Sequence, residues 1–285
     1  MFSYRHAFHA GNHADVLKHV VLVQLLRHLA SKDTPFWVID THAGAGVYAL
    51  DGAWAGTRCE FADGIGRLWA RDDLPEAVAD YRTVVQAFNP DGALLRYPGS
   101  PFIALRHLRE RDRLRLFELH TNESKALDEA LAGAGRPAQR RTIAAATDGF
   151  HGLRSLLPPP PRRGLVLMDP SYEDKRDYRR VIEALQAALA RFANGCYAIW
   201  YPLVQRPEPA QMLRQLIQLP GLRWLHISLT VRNPSLDGLG LHGSGLFVVN
   251  PPWTLPATME TCLPWLCTVL RQDDGARWTL ASEGL

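Results

Sequence analysis

Gly164-Leu165-Val166-Leu167-Met168-Asp169-Pro170-Ser171-Tyr172 decides how this chain is read. Five apolar residues in a row form a strand buried in a core, and Asp-Pro ends it abruptly. The residues at its mouth suit a flat ring that carries an amino group. The Asp169 carboxylate and the Pro170 carbonyl can each accept one N–H of an exocyclic NH₂. The Tyr172 ring can stack on the base, an interaction worth roughly 1–3 kcal/mol. Two acceptors on one NH₂ orient the nitrogen and leave its lone pair facing outward. A plain strand exit punctuated by Asp-Pro accounts for the same residues, so the rest of the chain must decide.

Further strand-like runs recur on both sides of this one. They are Phe36 to Ile39, Leu114 to Phe117, Thr142 to Ala146, Cys196 to Tyr201, Trp224 to Val231 and Gly245 to Val249. Helical patterns lie between most of them, including Ser124 to Leu131 and Tyr178 to Phe192. Alternation of this kind predicts an α/β fold whose parallel sheet is covered on both faces. Ligands of such sheets sit beyond the carboxyl ends of the strands, near the switch point. The first four strands end at or near Asp40, Glu118, Asp148 and Asp169. Carboxylates make poor core, so these four are expected to face one cleft.

The stretch Val47 to Pro98 breaks the rhythm with Gly52, Gly56, Gly64, Gly66, Pro75, Pro90 and Gly92. Only Leu74 to Phe88 reads as helix within it. We therefore expect a small helical insertion over 47–98, with the main domain formed by 1–46 and 99–285. The insertion is expected to face the substrate, so that its removal spares cofactor binding more than turnover. Ser100 reads as an N-cap and Pro101 as a first helical position, returning the chain to the sheet.

The 285 residues, 47% hydrophobic, suffice for one large α/β domain. A net charge of +3 does not identify a nucleic-acid binder. The four cysteines form no C-x-x-C pair, so neither a zinc site nor a disulfide framework is indicated, and a reducing cytoplasm fits. The N-terminus lacks a signal peptide's apolar core, and no run approaches the roughly 20 apolar residues of a membrane span.

Gly44-Ala45-Gly46-Val47-Tyr48-Ala49 satisfies a dinucleotide-binding fingerprint, which makes a nicotinamide dehydrogenase the rival reading. No convincing helix follows Gly46, and Glu118 lies far beyond the usual spacing of about 20 residues. Glu118 suits a pair of ribose hydroxyls, and Asp148-Gly149 suits an adenine amino group. His9 and His13 raise a metal site, but Gly11-Asn12 interrupts the turn between them. Lys18 reads either as a solvated lysine or as a phosphate contact. Basic residues at 109, 111, 113, 140, 141, 162, 163, 175, 176, 179 and 180 make a polyanion footprint if several share a face. Solvated helix faces explain them as well.

Asp169-Pro170-Ser171-Tyr172 resembles the (Asp/Asn/Ser)-Pro-Pro-(Tyr/Phe/Trp) motif of S-adenosylmethionine (SAM)-dependent amino-methyltransferases, with Ser171 in place of a proline. Asn250-Pro251-Pro252-Trp253 matches that pattern better by letter, but it follows a last strand that in such folds runs antiparallel. The segments SYRHAFHAGNHADVLKH, DTHAGAG, YPGSP, FELH, DGF and DPSY together resemble the bacterial large-subunit ribosomal RNA adenine-N6 methyltransferase J family, over nearly the whole chain. The resemblance implies a Rossmann-like domain that uses SAM to methylate one adenine of 23S rRNA in the cytoplasm. No metal and no membrane are expected from the residues, and no obligate protein partner is inferred. Carried over by position, His19, His42, Ser100, Glu118, Asp148, Gly149 and Asp169 are expected in the SAM pocket. Asp169 is also the expected catalytic acceptor, with Tyr4 and Tyr172 on the RNA. A DNA adenine methyltransferase and a non-catalytic RNA-binding relic remain the alternatives.

Overall fold

The computed structural model describes residues 9–50, 60–238 and 240–285. Helix α1 (His13–Ala30) opens the described chain and leads to β1 (Trp37–Asp40). Its start is set by Asn12, whose side chain accepts the N–H groups of Ala14 and Asp15. The next segment holds β2 (Val47–Ala49), the one-turn helix α2 (Gly66–Trp69), α3 (Glu76–Gln86) and β3 (Arg96–Pro98). Strands β2 and β3 pair as an antiparallel ribbon apart from the main sheet. Here the chain forms a short strand after Gly46, in place of the helix a dinucleotide fold requires.

Alternation then resumes with α4 (Ser100–His107), β4 (Arg113–Phe117), α5 (Thr121–Gly133), α6 (Arg136–Arg141), β5 (Thr142–Ala145), α7 (Gly149–Leu156) and β6 (Gly164–Met168). The remainder is α8 (Arg176–Arg191), β7 (Cys196–Leu203), α9 (Glu208–Ile217), β8 (Trp224–Thr230), β9 (Gly243–Val249), α10 (Leu255–Leu270) and β10 (Arg277–Glu283). Eight strands form one sheet in the order β10-β8-β9-β7-β6-β1-β4-β5. The five strands β7, β6, β1, β4 and β5 are parallel, and β9, β8 and β10 add antiparallel partners. The fold is thus the expected Rossmann-like α/β arrangement. Strand order turns back between β1 and β6, which puts the switch point beside Asp40 and Asp169.

One core lies on each face of the sheet. The first gathers α1, α4 and α10 with Ile65, Leu68, Val78, Tyr81, Val85 and Tyr97 of the inserted segment. The second is built by α7, α8 and α9. The segment is stitched to α1 by backbone too: Ile65 N–H donates to Gly11 O at 2.8 Å. A Cβ on Gly64 would meet the Gly11 carbonyl oxygen at 2.0 Å. The inserted residues therefore complete the hydrophobic layer over α1. Among the described residues, no helix is long and apolar enough to cross a membrane.

Candidate active site

A cavity of about 270 Å³ opens at the carboxyl ends of the parallel strands. His19, His42, Ser100, Glu118, Asp148, Gly149 and Asp169 all line it. Asp40 lies behind this lining: it is buried, accepting the Ser100 hydroxyl at 2.6 Å and the His42 N–H at 3.1 Å. Burial first, and the neighbouring Asp169 charge as well, raise the Asp40 pKa from 3.8 to about 6 against those hydrogen bonds. Ser100 was expected to cap α4. Instead Gly99 is the N-cap, because the Ser100 hydroxyl is committed to Asp40.

The glycine loop after β1 brings backbone to the cavity. Gly44 has φ +61°, and a Cβ there would lie 2.3 Å from the Tyr48 hydroxyl. Its N–H donates to Glu118 Oε2 at 2.8 Å, while the His120 N–H donates to Oε1 at 2.7 Å. Glu118 thus ties the β1 and β4 loops together, and burial raises its pKa. Gly149 is required by close approach, since a Cβ would meet the Thr41 carbonyl oxygen at 2.1 Å. Asp148 accepts the His151 N–H as the N-cap of α7 and pairs with Arg180. Burial works against its charge, but that N–H and Arg180 prevail and lower the pKa. His42 is packed edge-on against Phe150 at 4.8 Å, and burial drops its pKa to about 3, so the ring is neutral.

At the other end, Asp169 Oδ2 accepts the Lys18 ammonium at 2.6 Å, and Asp15 Oδ1 holds the same ammonium at 2.8 Å. Lys18 is buried at 3% exposure and lies 5.7 Å from the centre of the Trp200 ring. Burial opposes its charge, but the two carboxylates outweigh it and raise its pKa. The sequence offered a sign of this: Asp15 stands three residues before Lys18 on one helix, a spacing at which side chains meet. What the spacing did not disclose is that Asp169 arrives from β6 to share the lysine.

Two expected substrate contacts fare differently. Tyr4 lies outside the described residues. Tyr172 does not line the cavity, which corrects the expectation that its ring stacks on a base. Its φ of +54° swings the ring beneath the loop, where it packs on Tyr178 at 4.4 Å and donates its hydroxyl to Trp200 O at 2.7 Å. Burial raises that phenol's pKa well above the usual value, so it stays protonated. Pro170 and Ser171 do line the cavity.

Asn250 lies at the opposite end of the sheet, where its amide donates to Ala193 O and Gly195 O at 2.8 Å each. His9 Nδ1 is 2.8 Å from Glu60, and no group of metal-binding side chains occurs among the described residues. The basic residues do not form one face. Arg109, Arg111 and Arg163 fasten Ala30, Lys32, Asp33 and Thr34 at the amino end of β1, whereas Arg176 and Arg180 line the cavity.

Residues 33–281 match the family model described as ribosomal RNA large subunit methyltransferase D, RlmJ. The chain is 46% identical over 267 residues to the ribosomal RNA large subunit methyltransferase J of Escherichia coli K12, covering 93% of each. It is 43% identical over 282 residues to the protein of that name from Haemophilus influenzae, covering 98% of each. A crystal structure of a Legionella pneumophila protein, 35% identical, superposes with a TM-score of 0.87 over 97% of this chain and 99% of that one. Together with the acidic strand ends around one cavity, these matches establish that the chain belongs to the ribosomal RNA large subunit methyltransferase J family.

Proposed function

We propose that the protein transfers the methyl group of SAM to N6 of one adenine in 23S ribosomal RNA, with Asp169 and the Pro170 carbonyl holding the amino group. The observation that carries this is Asp169 itself: a carboxylate at the end of a buried parallel strand, opening on the cavity and fixed by Lys18. The names of the relatives supply the ribosomal RNA. The cavity suits SAM, because Glu118 offers acceptors for ribose hydroxyls and Gly44 and Gly149 let the backbone come close. SAM supplies an electrophilic sulfonium methyl.

The chain's own part is placement and charge. An adenine must leave its stack to reach this depth. Lys18 holds one oxygen of the Asp169 carboxylate, so the carboxylate is oriented before the base arrives. Accepting N–H bonds from N6 stabilises positive charge as it develops on nitrogen, and Asp169 is placed to take the proton released. Tyr172 contributes from below, by buttressing the turn that carries Pro170 and Ser171. The reading needs neither a metal nor a protein partner, and places the enzyme in the cytoplasm with its RNA.

The test is transfer of labelled methyl from SAM to unmodified 23S rRNA or to duplex DNA, followed by nucleoside mass spectrometry. Labelled N6-methyladenosine from the RNA is expected. Label confined to the deoxynucleoside would make the DNA alternative correct. Calorimetric binding of NAD with no response to SAM would end the methyltransferase reading altogether.

A further inference from the structure

His19 belongs to α1, yet its ring is held by the inserted segment. Its Nδ1 is 2.7 Å from the Tyr97 hydroxyl, and the two rings stack with centres 5.6 Å apart. Tyr97 comes from β3. Its hydroxyl is 2.9 Å from that of Tyr81 on α3. All three side chains are fully buried.

Proton accounting gives this chain a direction. Each hydroxyl has one proton to donate. Among the described residues, Tyr97 is the one hydrogen-bond partner of the Tyr81 hydroxyl, which is shut off from water. A buried hydroxyl proton without an acceptor is costly, so Tyr81 donates to Tyr97. Tyr97 thus accepts a hydrogen bond from Tyr81 and must donate its own proton elsewhere, and its other partner is His19 Nδ1. Burial raises the pKa of both phenols, so both keep the protons that this requires. A ring nitrogen that accepts is unprotonated, and a neutral imidazole then carries its proton on Nε2.

We infer that Tyr81 and Tyr97 are positioning residues that lock cavity-lining His19 in its Nε2–H tautomer, so that the inserted segment sets the hydrogen-bonding character of the cofactor pocket. This rests on the cavity being the SAM site. A locked donor suits an acceptor oxygen of the bound molecule, and a ring free to change tautomer would present a lone pair to it part of the time. The sequence separation is wide, from 19 to 81 and 97, so no local pattern announces the relay.

The experiment uses full-length protein labelled with ¹⁵N-histidine. Long-range proton–nitrogen correlation spectra report which ring nitrogen bears the proton, and calorimetry reports the SAM Kd. His19→Gln identifies the His19 signals. In the wild type, His19 is expected as the pure Nε2–H form. Tyr97→Phe removes the donor, so the signals should move toward a tautomer mixture and the Kd should rise about tenfold, the scale of one lost hydrogen bond. Tyr81→Phe leaves Tyr97 able to donate, so its effect on Kd should be smaller, about two- to threefold.

An Nδ1–H wild-type signal overturns the inference without needing any variant to fold. So does a Tyr97→Phe protein that loses thermal stability but keeps both the tautomer and the Kd. If the wild type shows the Nε2–H form but binds no SAM, the cofactor reading fails and the proposed influence on the pocket falls with it, while the tautomer assignment is confirmed by the spectrum.

Discussion

Asp169 and Asn250 each end a strand and precede proline, yet they sit at opposite ends of the sheet. That separation makes an assay. Asp169→Ala should abolish methyl transfer, because the side-chain acceptor for N6 is lost, while SAM binding weakens but stays measurable. Asn250→Ala should keep substantial turnover at a temperature where it is folded, since it loses only two hydrogen bonds to the turn before β7. Single-turnover assays with circular dichroism as the folding check decide this, and a dead but folded Asn250→Ala enzyme beside an active Asp169→Ala enzyme would reverse the assignment. Asp40 gives a second handle. Its folded pKa of about 6 exceeds 3.8, so between these values the folded state binds more protons than the unfolded chain. Its contribution to stability is therefore greatest at low pH and falls as pH rises through that window. Asp40→Asn lacks this titration. Its stability relative to wild type should improve by on the order of 3 kcal/mol from pH 3.5 to pH 7, whatever its offset. Denaturant unfolding of both proteins across that range measures it, and a flat difference would show that Asp40 is not perturbed.

At the scale of elements, the inserted segment and the glycine contacts carry the site. The sequence suggested that the insertion over 47–98 faces the substrate, so that replacing residues 53 to 94 would spare SAM binding more than methylation. The packing points elsewhere, because Ile65, Leu68, Val78, Tyr81 and Val85 complete the core over α1. Fully burying such side chains is worth about 1.5–3 kcal/mol each, against a whole-domain stability of roughly 5–15 kcal/mol. Replacing 53 to 94 by a short linker should thus remove SAM binding and the cooperative thermal transition together. Retained calorimetric binding would show the segment to be peripheral. Gly149→Ala probes the join between β1 and α7. The added methyl group must displace the Thr41 backbone, so a loss of about 2–3 kcal/mol is expected, with weaker SAM binding in the folded fraction.

For the molecule as a whole, the sheet separates structural arginines from those at the cavity. Lys175, Arg176 and Arg179 are 63%, 77% and 75% exposed at the start of α8, directly after the Asp169 turn. If the RNA backbone tracks this rim, the triple alanine variant should flatten the salt dependence of RNA binding by about 2–3 units of log K against log salt. Arg111→Ala, at the amino end of β1, should leave that slope unchanged. Filter binding from low to moderate salt separates the two, and equal slopes for all three proteins would move the RNA to another face.

The sequence by itself determined the seven strands it marked with apolar runs and the acidic residues at the ends of the first four, of which Glu118, Asp148 and Asp169 line one cavity while Asp40 is buried beneath Ser100. These are local signals: burial on both faces selects continuous apolar strands, and a parallel sheet gathers their carboxyl ends. Strands β2 and β3 were not legible, because three residues carry no period, and neither was β10, a mostly exposed edge strand that pairs with β8. Tertiary structure alone decided which polar groups meet. Lys18 is held at the cavity because β6 brings Asp169 to α1, and Ser100 gives up capping because Asp40 lies beneath it. Tyr172 turns inward because its backbone takes a positive φ and Trp200 O accepts its hydroxyl. Each of these depends on residues far apart in sequence, whose approach is set by the packing of the whole sheet.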